Sequence, residues 1–304
     1  MRKTKGGIKI MKFTQNKAKF LILPILIIVV GIVMYAVRGF NFDTEFVGGI
    51  RMQIDVGSDF NNDDIRDLVI ETCGEVAAPV VQKIGDGTQA TIKMSELDLE
   101  TKTALDNAIK AKYGEEAIMS SNSASASFGI QVQQKALIYT IIALLCILAY
   151  IAIRFEVKSA VMAVFALAIN VLVMMAVYLI SYKPLNTTFI AAMLTVVGYS
   201  INNTIVVFDR IRENMRGFNA KRGQTVAEVV DRSIKESMGR TINTTITTLI
   251  TIILLYILGV NSIKDFAFPL IVGVIAGAYT SIFIASPYWA SWKQSEVDAK
   301  QVRK

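Results

Sequence analysis

The sequence predicts a polytopic α-helical membrane protein with six transmembrane helices and a small ferredoxin-like α+β domain between the first two helices. Of its 304 residues, 53% are hydrophobic and 19% are charged, and the mean hydropathy is +0.47. Soluble domains carry about 25% charged residues, so the composition excludes an ordinary soluble enzyme, a disordered chain and a disulfide-rich scaffold. The apolar residues form six blocks near the length of about 20 residues that spans a bilayer, and a long hydrophilic segment follows the first block.

The six apolar blocks define the predicted transmembrane segments. These are 20–37, 135–153, 159–182, 185–208, 241–260 and 266–288. The first block could be a cleaved signal peptide because a basic leader precedes it, but its apolar run exceeds the usual length of about 7–15 residues. Tyr35, Val37 and Arg38 also occupy the region where a small-residue cleavage site would lie. We therefore expect a retained helix.

Lysine and arginine residues set the predicted orientation. Seven lie in the N-terminal segment 1–19, which has no acidic residue, and eight lie in the loop 209–240. The positive-inside rule places these two segments and the tail 289–304 in the cytoplasm. The segment 38–134 holds eight basic and sixteen acidic residues, so it is predicted to face the exterior. The net charge of +7 thus indicates membrane orientation and a basic face beside anionic membrane lipid, rather than nucleic-acid binding.

The exterior segment 38–134 has the pattern of a small α+β domain. Alternating apolar residues predict strands, apolar residues at helical spacing predict helices, and Gly85-Asp86-Gly87 predicts a hairpin. The resulting order is strand Ile50–Val56, helix Asn61–Thr72, strands Val76–Lys83 and Gln89–Met94, helix Leu97–Lys112, and a last strand that opens at Ala117–Met119. This β-α-β-β-α-β order is typical of a ferredoxin-like fold. Ser120–Ser127 is predicted to be a linker, and the alternative for the whole domain is an unspecialised brace for the helices.

Polar residues form a stripe along the fourth predicted span. The stripe consists of Thr195, Tyr199, Asn202, Val206 and Asp209, with one apolar member. Polar groups in hydrocarbon usually face a bundle interior or a water path. For Asn202 and Asn203, hydrogen bonding between helices is an equal alternative. Asp209 and Arg210 lie at the inner end, where an interfacial ion pair or a helix cap is the commoner explanation.

The fifth span begins with a second polar face, and the sixth carries small residues. The polar face consists of Arg240, Asn243, Thr244, Thr247, Thr248 and Thr251. A single threonine would more often bond its own helix backbone, but six polar residues on one face favour a polar neighbour, and the fourth-span stripe is the natural one. The sixth span has Gly273, Gly277, Ser281 and Ala285 at fourfold spacing, which favours close helix packing. Before the fifth span, the basic segment 211–240 predicts an amphipathic surface helix that could lie on the membrane or dock a partner.

The residues offer no catalytic or metal chemistry. The chain has no histidine, which removes the commonest zinc ligand and any histidine-based triad. No Walker loop, G-x-S-x-G or H-E-x-x-H motif is present. Cys73 falls in a hydrophilic stretch and Cys146 in an apolar span, so a disulfide is not expected. We therefore predict neither an enzyme nor a cofactor or metal site.

Three motifs resemble the SecD/SecF family of bacterial protein-export membrane proteins. The segment GYSINNTIVVFDRIREN (198–214), which begins at Gly198, is similar to the family's fourth-span signature. FNFDTEFVGG (40–49) resembles the motif after the first span, and SMGRTINTTITTL (237–249) resembles the fifth-span entry. The resemblance covers residues 20–288. It implies half of an RND-type helix bundle.

The resemblance implies a role in protein secretion at the bacterial cell membrane. The implied partners are SecD, the SecYEG channel, a translocating preprotein and, less directly, SecA, with YajC as a further candidate. SecA pushes preproteins with ATP, and SecD with this family draws them outward using the proton-motive force. Motif matching puts Arg240 and Thr244 on fifth-span positions of the family's proton path. The alternatives are half of an RND-type small-molecule exporter, or a purely structural translocase subunit.

Two residues depart from the family pattern. Asn203 stands where the family often has an aspartate, and an amide carries no proton near neutral pH. Val47 stands where threonine is usual, but Gly48 and Gly49 keep the glycine pair that a tight turn requires. We therefore hypothesise that SecD supplies the titrating carboxylate and that Asn203, Thr244 and Arg240 surround it. Sodium coupling is the alternative, because amide and hydroxyl oxygens suit a hard cation.

Overall fold

The computed structural model describes residues 12–84, 87–124, 126–154, 156–219 and 223–302. These residues form two compact units. The helical unit consists of the described parts of Met1–Phe40, Thr140–Lys183 and Thr188–Lys304, and the second unit consists of those of Asn41–Tyr139 and Pro184–Thr187.

Long helices make up most of the chain. They are α1 (Lys17–Arg38), α5 (Ala126–Arg154), α6 (Val157–Ser181), α7 (Thr187–Met215), α8 (Val226–Leu258), α9 (Asn261–Thr280) and α10 (Ser286–Val302). Within the described ranges, five helical stretches are long and apolar enough to cross a membrane: Lys17–Arg38, Val157–Ser181, Thr187–Met215, Val226–Leu258 and Ser262–Ala299. The predicted second span lies on α5, whose apolar stretch Ile138–Ile147 is shorter. The chain is therefore a polytopic membrane protein.

The helices extend beyond the segments that hydropathy defines. Helix α7 continues to Met215, and α8 begins at Val226, so the predicted amphipathic surface helix and the fifth span form one rod. Thr225 starts this rod with a capping box, in which its side chain accepts from the backbone N–H of Glu228 and the Glu228 carboxylate accepts from the N–H of Thr225. Hydropathy could not find this start because the first turns of α8 are charged.

The second unit contains a four-stranded antiparallel sheet. Its strands are β1 (Gly49–Asp55), β2 (Val80–Ile84), β3 (Gln89–Met94) and β4 (Ile118–Ala124), in the order β2-β3-β1-β4. Helix α2 (Thr44–Val47) precedes β1, α3 (Asn62–Cys73) connects β1 to β2, and α4 (Leu99–Tyr113) connects β3 to β4. This order and connectivity confirm the predicted ferredoxin-like domain.

Residues on the inner side of the sheet and of α3 and α4 form the domain core. Alternation along β1 buries Ile50, Met52 and Ile54 on one face, as the period of a strand requires. The helical spacing of Ile65 and Val69 does the same for α3. Leu105 and Ile109 complete the core from α4.

The predicted linker at Ser120–Ser127 is wrong for its first half. Residues 120–124 belong to β4, which pairs with β1 at the edge of the sheet from Gly49↔Ala124 to Ile54↔Ile118. Small polar residues at an edge strand show no apolar alternation, so the sequence pattern gave no strand signal. The predicted strand at Val76–Lys83 also begins later, because Glu75–Ala77 form a 3₁₀ turn. Gly85 and Asp86 of the predicted hairpin lie outside the described residues.

The turn at Gly48 and Gly49 connects α2 to β1. Gly48 has a φ of 82° and donates its N–H to the Thr44 carbonyl, which ends α2. Gly49 has a φ of 113°, and a Cβ there would lie 2.4 Å from the Met94 carbonyl oxygen on β3. Only glycine fits such a position, since both the dihedral angle and the neighbouring backbone exclude a side chain.

We expect Gly49→Ala to lower the stability of the sheet domain by about 2 kcal/mol or more, because it combines backbone strain with overpacking. The measurement is limited proteolysis of the full chain, followed at sites within 41–124. Gly57→Ala is the control, since Gly57 has a φ of 75° and no described heavy atom beyond its chain neighbours lies within 4 Å of the added Cβ. Equal losses in the two variants would contradict the steric part of this explanation.

Candidate functional site in the membrane helices

The polar stripe of α7 is exposed on the surface of this chain. Thr195, Asn202 and Asp209 are exposed, and Tyr199 is half-buried. The Thr195 hydroxyl donates to the Ala191 carbonyl of its own helix. An exposed row of polar groups in a membrane-spanning segment indicates contact with water or with another polar surface rather than with lipid tails.

The polar face of α8 is likewise exposed. Arg240, Asn243 and Thr244 are exposed, and Thr248 is half-buried. The hydroxyls of this face donate to backbone carbonyls four residues earlier, as Thr244 does to Arg240 at 3.0 Å and Thr248 does to Thr244 at 2.9 Å. The threonines therefore satisfy their donors within the helix, while their oxygen lone pairs remain able to accept from, or coordinate, a neighbour.

The predicted contact between the two polar faces is not made through hydrogen bonds. Among the described residues, no hydrogen bond joins the α7 stripe to the polar face of α8. Apolar residues pack α7, α8 and α9 together instead, with Val196, Ile252 and Val274 in one buried cluster. Both polar faces are thus available for contact with water or with another molecule.

Asn203 is separated from Asn202, its neighbour in sequence. Asn202 is exposed, but Asn203 is 2% exposed and its Nδ2 has no hydrogen-bond partner among the described residues. The two side chains differ because one residue along a helix turns a side chain by about 100°, and the hypothesis that Asn203, Thr244 and Arg240 surround a partner's carboxylate stays a prediction. Asn203 belongs to the interior.

A polar cluster lies inside the helical unit. The Thr204 and Ser281 hydroxyls are 2.7 Å apart, and Ser281 also approaches the Ser200 carbonyl at 3.3 Å. Asn170 on α6 is fully buried, and neither of its amide atoms has a hydrogen-bond partner within the described ranges; the same holds for the Ser200 hydroxyl. Sequence analysis missed Asn170, because a single asparagine in an apolar span gives no pattern.

Small residues on α9 allow this interior to close. A Cβ on Gly273 would lie 2.5 Å from the Val196 methyl groups, and one on Gly277 would lie 3.0 Å from the Asn170 amide and the Ser200 hydroxyl. Gly198 on α7 has no such neighbour among the residues that the structure describes. The fourfold spacing on the sixth span therefore marks a helix contact.

The sixth span does not end as a regular α-helix. Ser281–Ala285 form a π-helical turn between α9 and α10, and the Ser286 hydroxyl donates to the Ser281 carbonyl five residues earlier. π-Helical turns insert one residue into a helix and are frequent at functional sites. Here the turn lies directly beside the buried polar cluster.

An ion-pair network occupies the end of α7 and the start of α8. Arg210 binds the Glu213 carboxylate at 2.6 Å and the Glu236 carboxylate at 2.7 Å. Glu236, which precedes the predicted fifth span, also accepts from Asn214 and Arg232. These bonds, with that from Asn214 the largest cause, lower the pKa of Glu236 to about 2. Asp209 is exposed and takes no part in the network.

A buried carboxylate in the sheet domain also escaped sequence analysis. Asp43, 1% exposed, accepts from the Thr44 N–H and from Arg51 at 2.7 Å, with Lys93 at 3.6 Å. Its backbone N–H donates to the Leu185 carbonyl. The motif FNFDTEFVGG therefore holds a buried charge between two cations, and burial could not be read from the local sequence. No cluster of possible metal ligands occurs in the described ranges.

Comparison with known proteins places this architecture in a class of export proteins. Residues 104–295 match the family described as "Protein export membrane protein SecD/SecF, C-terminal". Protein translocase subunit SecF of Alicyclobacillus acidocaldarius is 34% identical over 279 residues, which cover 90% of each chain. The SecF subunit of Petrotoga mobilis is 33% identical and covers 90% of this chain and 93% of its own.

A solved structure agrees with this class. A crystal structure of SecDF from Thermus thermophilus superposes with a TM-score of 0.84 at 28% identity, and the match covers 92% of this chain and 38% of that one. Helices, sheet domain and sequence together define a membrane subunit of the protein-export apparatus. The chain belongs to the SecF family of protein translocase subunits, whose members are named as transport components rather than as enzymes.

Proposed function

We propose that this chain works with SecD to draw preproteins outward through SecYEG, after the ATP-dependent step of SecA, at the expense of an ion gradient. The observation that carries the proposal is the pair of exposed polar faces on α7 and α8. A monomer would expose these faces to lipid at considerable cost, so a polar partner in the membrane is needed to cover them.

SecD is the partner that the comparisons favour. The SecDF relative of Bacillus subtilis is 32% identical over 94% of this chain, which corresponds to 38% of that longer protein. The remainder of that protein would correspond to the proposed partner. In this arrangement, the N-terminus, the 209–240 segment and the C-terminal tail lie in the cytoplasm of a bacterial cell, and YajC is a further candidate partner.

The ion-coupling carboxylate is assigned to SecD rather than to this chain. Asn203 has no acidic group, and it is buried away from the two polar faces. The residues of this chain that border the proposed ion path are instead on α8: Arg240, Asn243, Thr244 and Thr248. A carboxylate in hydrocarbon has a raised pKa, and a nearby guanidinium lowers it again, so movement relative to Arg240 would drive proton uptake and release.

Sodium coupling is the second candidate. The threonines of α8 use their hydroxyl hydrogens within the helix, so they present oxygen lone pairs to a neighbour. Hydroxyl and amide oxygens are ligands that suit a hard cation. A dependence of export on sodium, with potassium as the control, separates this candidate from proton coupling.

Export by membrane vesicles that contain this chain, SecD and SecYEG tests the proposal. We expect collapse of the ion gradient, or Asp→Asn at an intramembrane aspartate of SecD, to abolish the late step while the SecA-driven step continues. Asn203→Ala should reduce the late step less than the SecD change does, because Asn203 lies behind the path. If the late step of export did not change when the ion gradient is collapsed, the chain would be a purely structural subunit. Extrusion of small molecules instead would favour the RND-exporter alternative.

A further inference from the structure

We propose that a cleft between the start of α6, the end of α7 and α10 binds the phosphodiester headgroup of an anionic phospholipid. The cleft has a volume of about 320 Å³, which falls within the range of small-molecule sites. All three elements belong to the helical unit, and the cleft lies at the end of the bundle that carries the basic segments. Its placement in the inner leaflet depends on the orientation given under the proposed function, whereas binding itself does not.

The wall of the cleft is apolar and aromatic. It consists of Phe208, Ile211, Met215 and Trp289. The Phe208 and Trp289 rings meet edge to face, with 6.1 Å between their centroids. Trp289 is 4% exposed, and its Nε1–H is buried without a hydrogen-bond partner among the described residues. A buried indole N–H without an acceptor is costly, and tryptophan is typical of the headgroup level of membranes.

The rim of the cleft is basic. Arg212 and Arg216 lie one helical turn apart and line it together with Lys293. Neither arginine forms an ion pair with a carboxylate in the part of the chain that the structure describes. Guanidinium groups bind phosphate oxygens in pairs of parallel hydrogen bonds, so two of them at this spacing provide a site for a phosphodiester.

The acidic groups near the cleft pair with Lys293 and leave both arginines without a carboxylate partner among the described residues. Glu156 lines the cleft and is bound to Lys293 at 3.1 Å, and Glu296 lies 3.5 Å from the same lysine. Glu213 lies beside the two arginines in a neighbouring depression and is bound to Arg210. Asp209 shares that depression and is the only nearby carboxylate without a described partner. The cleft therefore keeps an excess of positive charge above an apolar wall, which is the combination that a phospholipid headgroup and its glycerol and acyl carbons require.

Tryptophan fluorescence provides a direct test. The chain has two tryptophans, and Trp292→Phe leaves Trp289 as the only one. In phosphatidylcholine vesicles that contain the full-length protein, brominated phosphatidylglycerol should quench Trp289 at a concentration about tenfold below that of brominated phosphatidylcholine. Equal quenching by the two lipids would overturn the proposal.

The rim is tested by paired variants in the same background. Arg212→Gln with Arg216→Gln should remove the preference for phosphatidylglycerol. The double variant Arg212→Lys with Arg216→Lys conserves the charge and should keep most of that preference. Lys19→Gln with Lys235→Gln removes the same charge from exposed positions outside the cleft and should change the preference by less than about twofold. An equal loss in the two glutamine pairs would mean general charge attraction, and displacement of the lipid by inorganic phosphate would mean a free-anion site. Either outcome refutes a lipid headgroup site.

Discussion

Replacing Arg240 with glutamine should reduce preprotein export by about tenfold or more while the amount of complex with SecD stays unchanged. Arg240 is exposed at the N-terminal end of the polar face of α8 and forms no ion pair with a described residue. Its guanidinium is therefore available to a carboxylate of the partner subunit. Without this charge, the carboxylate would remain protonated in hydrocarbon and could not release its proton.

Arg232→Gln is the matched control for this prediction. Arg232 is on the same helix, two turns earlier, and its guanidinium is already bound to Glu236 at 2.9 Å. Export and copurification with SecD should both be measured for the two variants, and Arg240→Lys should restore part of the export. If Arg240→Gln lowered export only in proportion to the recovered complex, the subunit would be structural and the energy-coupling role of Arg240 would be wrong.

The second large effect is expected from Gly273→Leu, which should prevent accumulation of the folded chain. A Cβ at this position alone would come within 2.5 Å of Val196 and 2.7 Å of the Met174 sulfur. Because Val196 and Met174 are themselves fully buried, neither can move aside without opening the contact of α9 with α6 and α7. Overpacking by smaller additions costs about 1–3 kcal/mol. Leucine adds three carbons beyond Cβ, so we expect its cost to exceed this range.

Gly198→Leu is the matched control, because Gly198 is a helical glycine and, in the part of the chain that the structure describes, no heavy atom outside its own helix lies within 4 Å of an added Cβ. Replacement of an exposed glycine within a helix should be neutral or stabilising by up to about 1 kcal/mol. The yield and the thermal midpoint of the two variants in detergent provide the comparison. Similar losses in both would show that the α9 contact does not depend on the absence of a side chain at Gly273.

The ferredoxin-like domain could be predicted because apolar residues repeat every two residues in its strands and about every 3.6 residues in its helices. Alternation along β1 and the helical spacing of Ile65 and Val69 each assign one face to the core. β4 could not be predicted to its end, because serines and asparagine at an edge strand need only backbone pairing with β1. Its extent is decided by tertiary contacts rather than by its own sequence.

The polar faces of α7 and α8 were visible in the sequence, but their neighbours were not. Helical spacing assigns residues to a face and contains no information on what covers that face. Helical spacing puts Asn202 and Asn203 about 100° apart, but it could not tell which of the two is buried, and it gave no signal for the isolated Asn170. Gly31 was missed for the same reason, although a Cβ there would lie 2.5 Å from the Cβ of Ala176 on α6.

The wide turn at Ser281–Ala285 also determines which way the last helix faces. The residue that a π-helical turn inserts displaces every later side chain by about 100° around the helix axis, and the turn therefore determines that Trp289 lines the cleft. Deleting one residue from the turn would leave the hydrophobicity of the segment intact and rotate the indole out of the cleft. The direction that Trp289 faces thus depends on the number of residues in the turn as well as on their hydrophobicity, and a one-residue deletion there would separate Trp289 from Phe208 without altering either side chain.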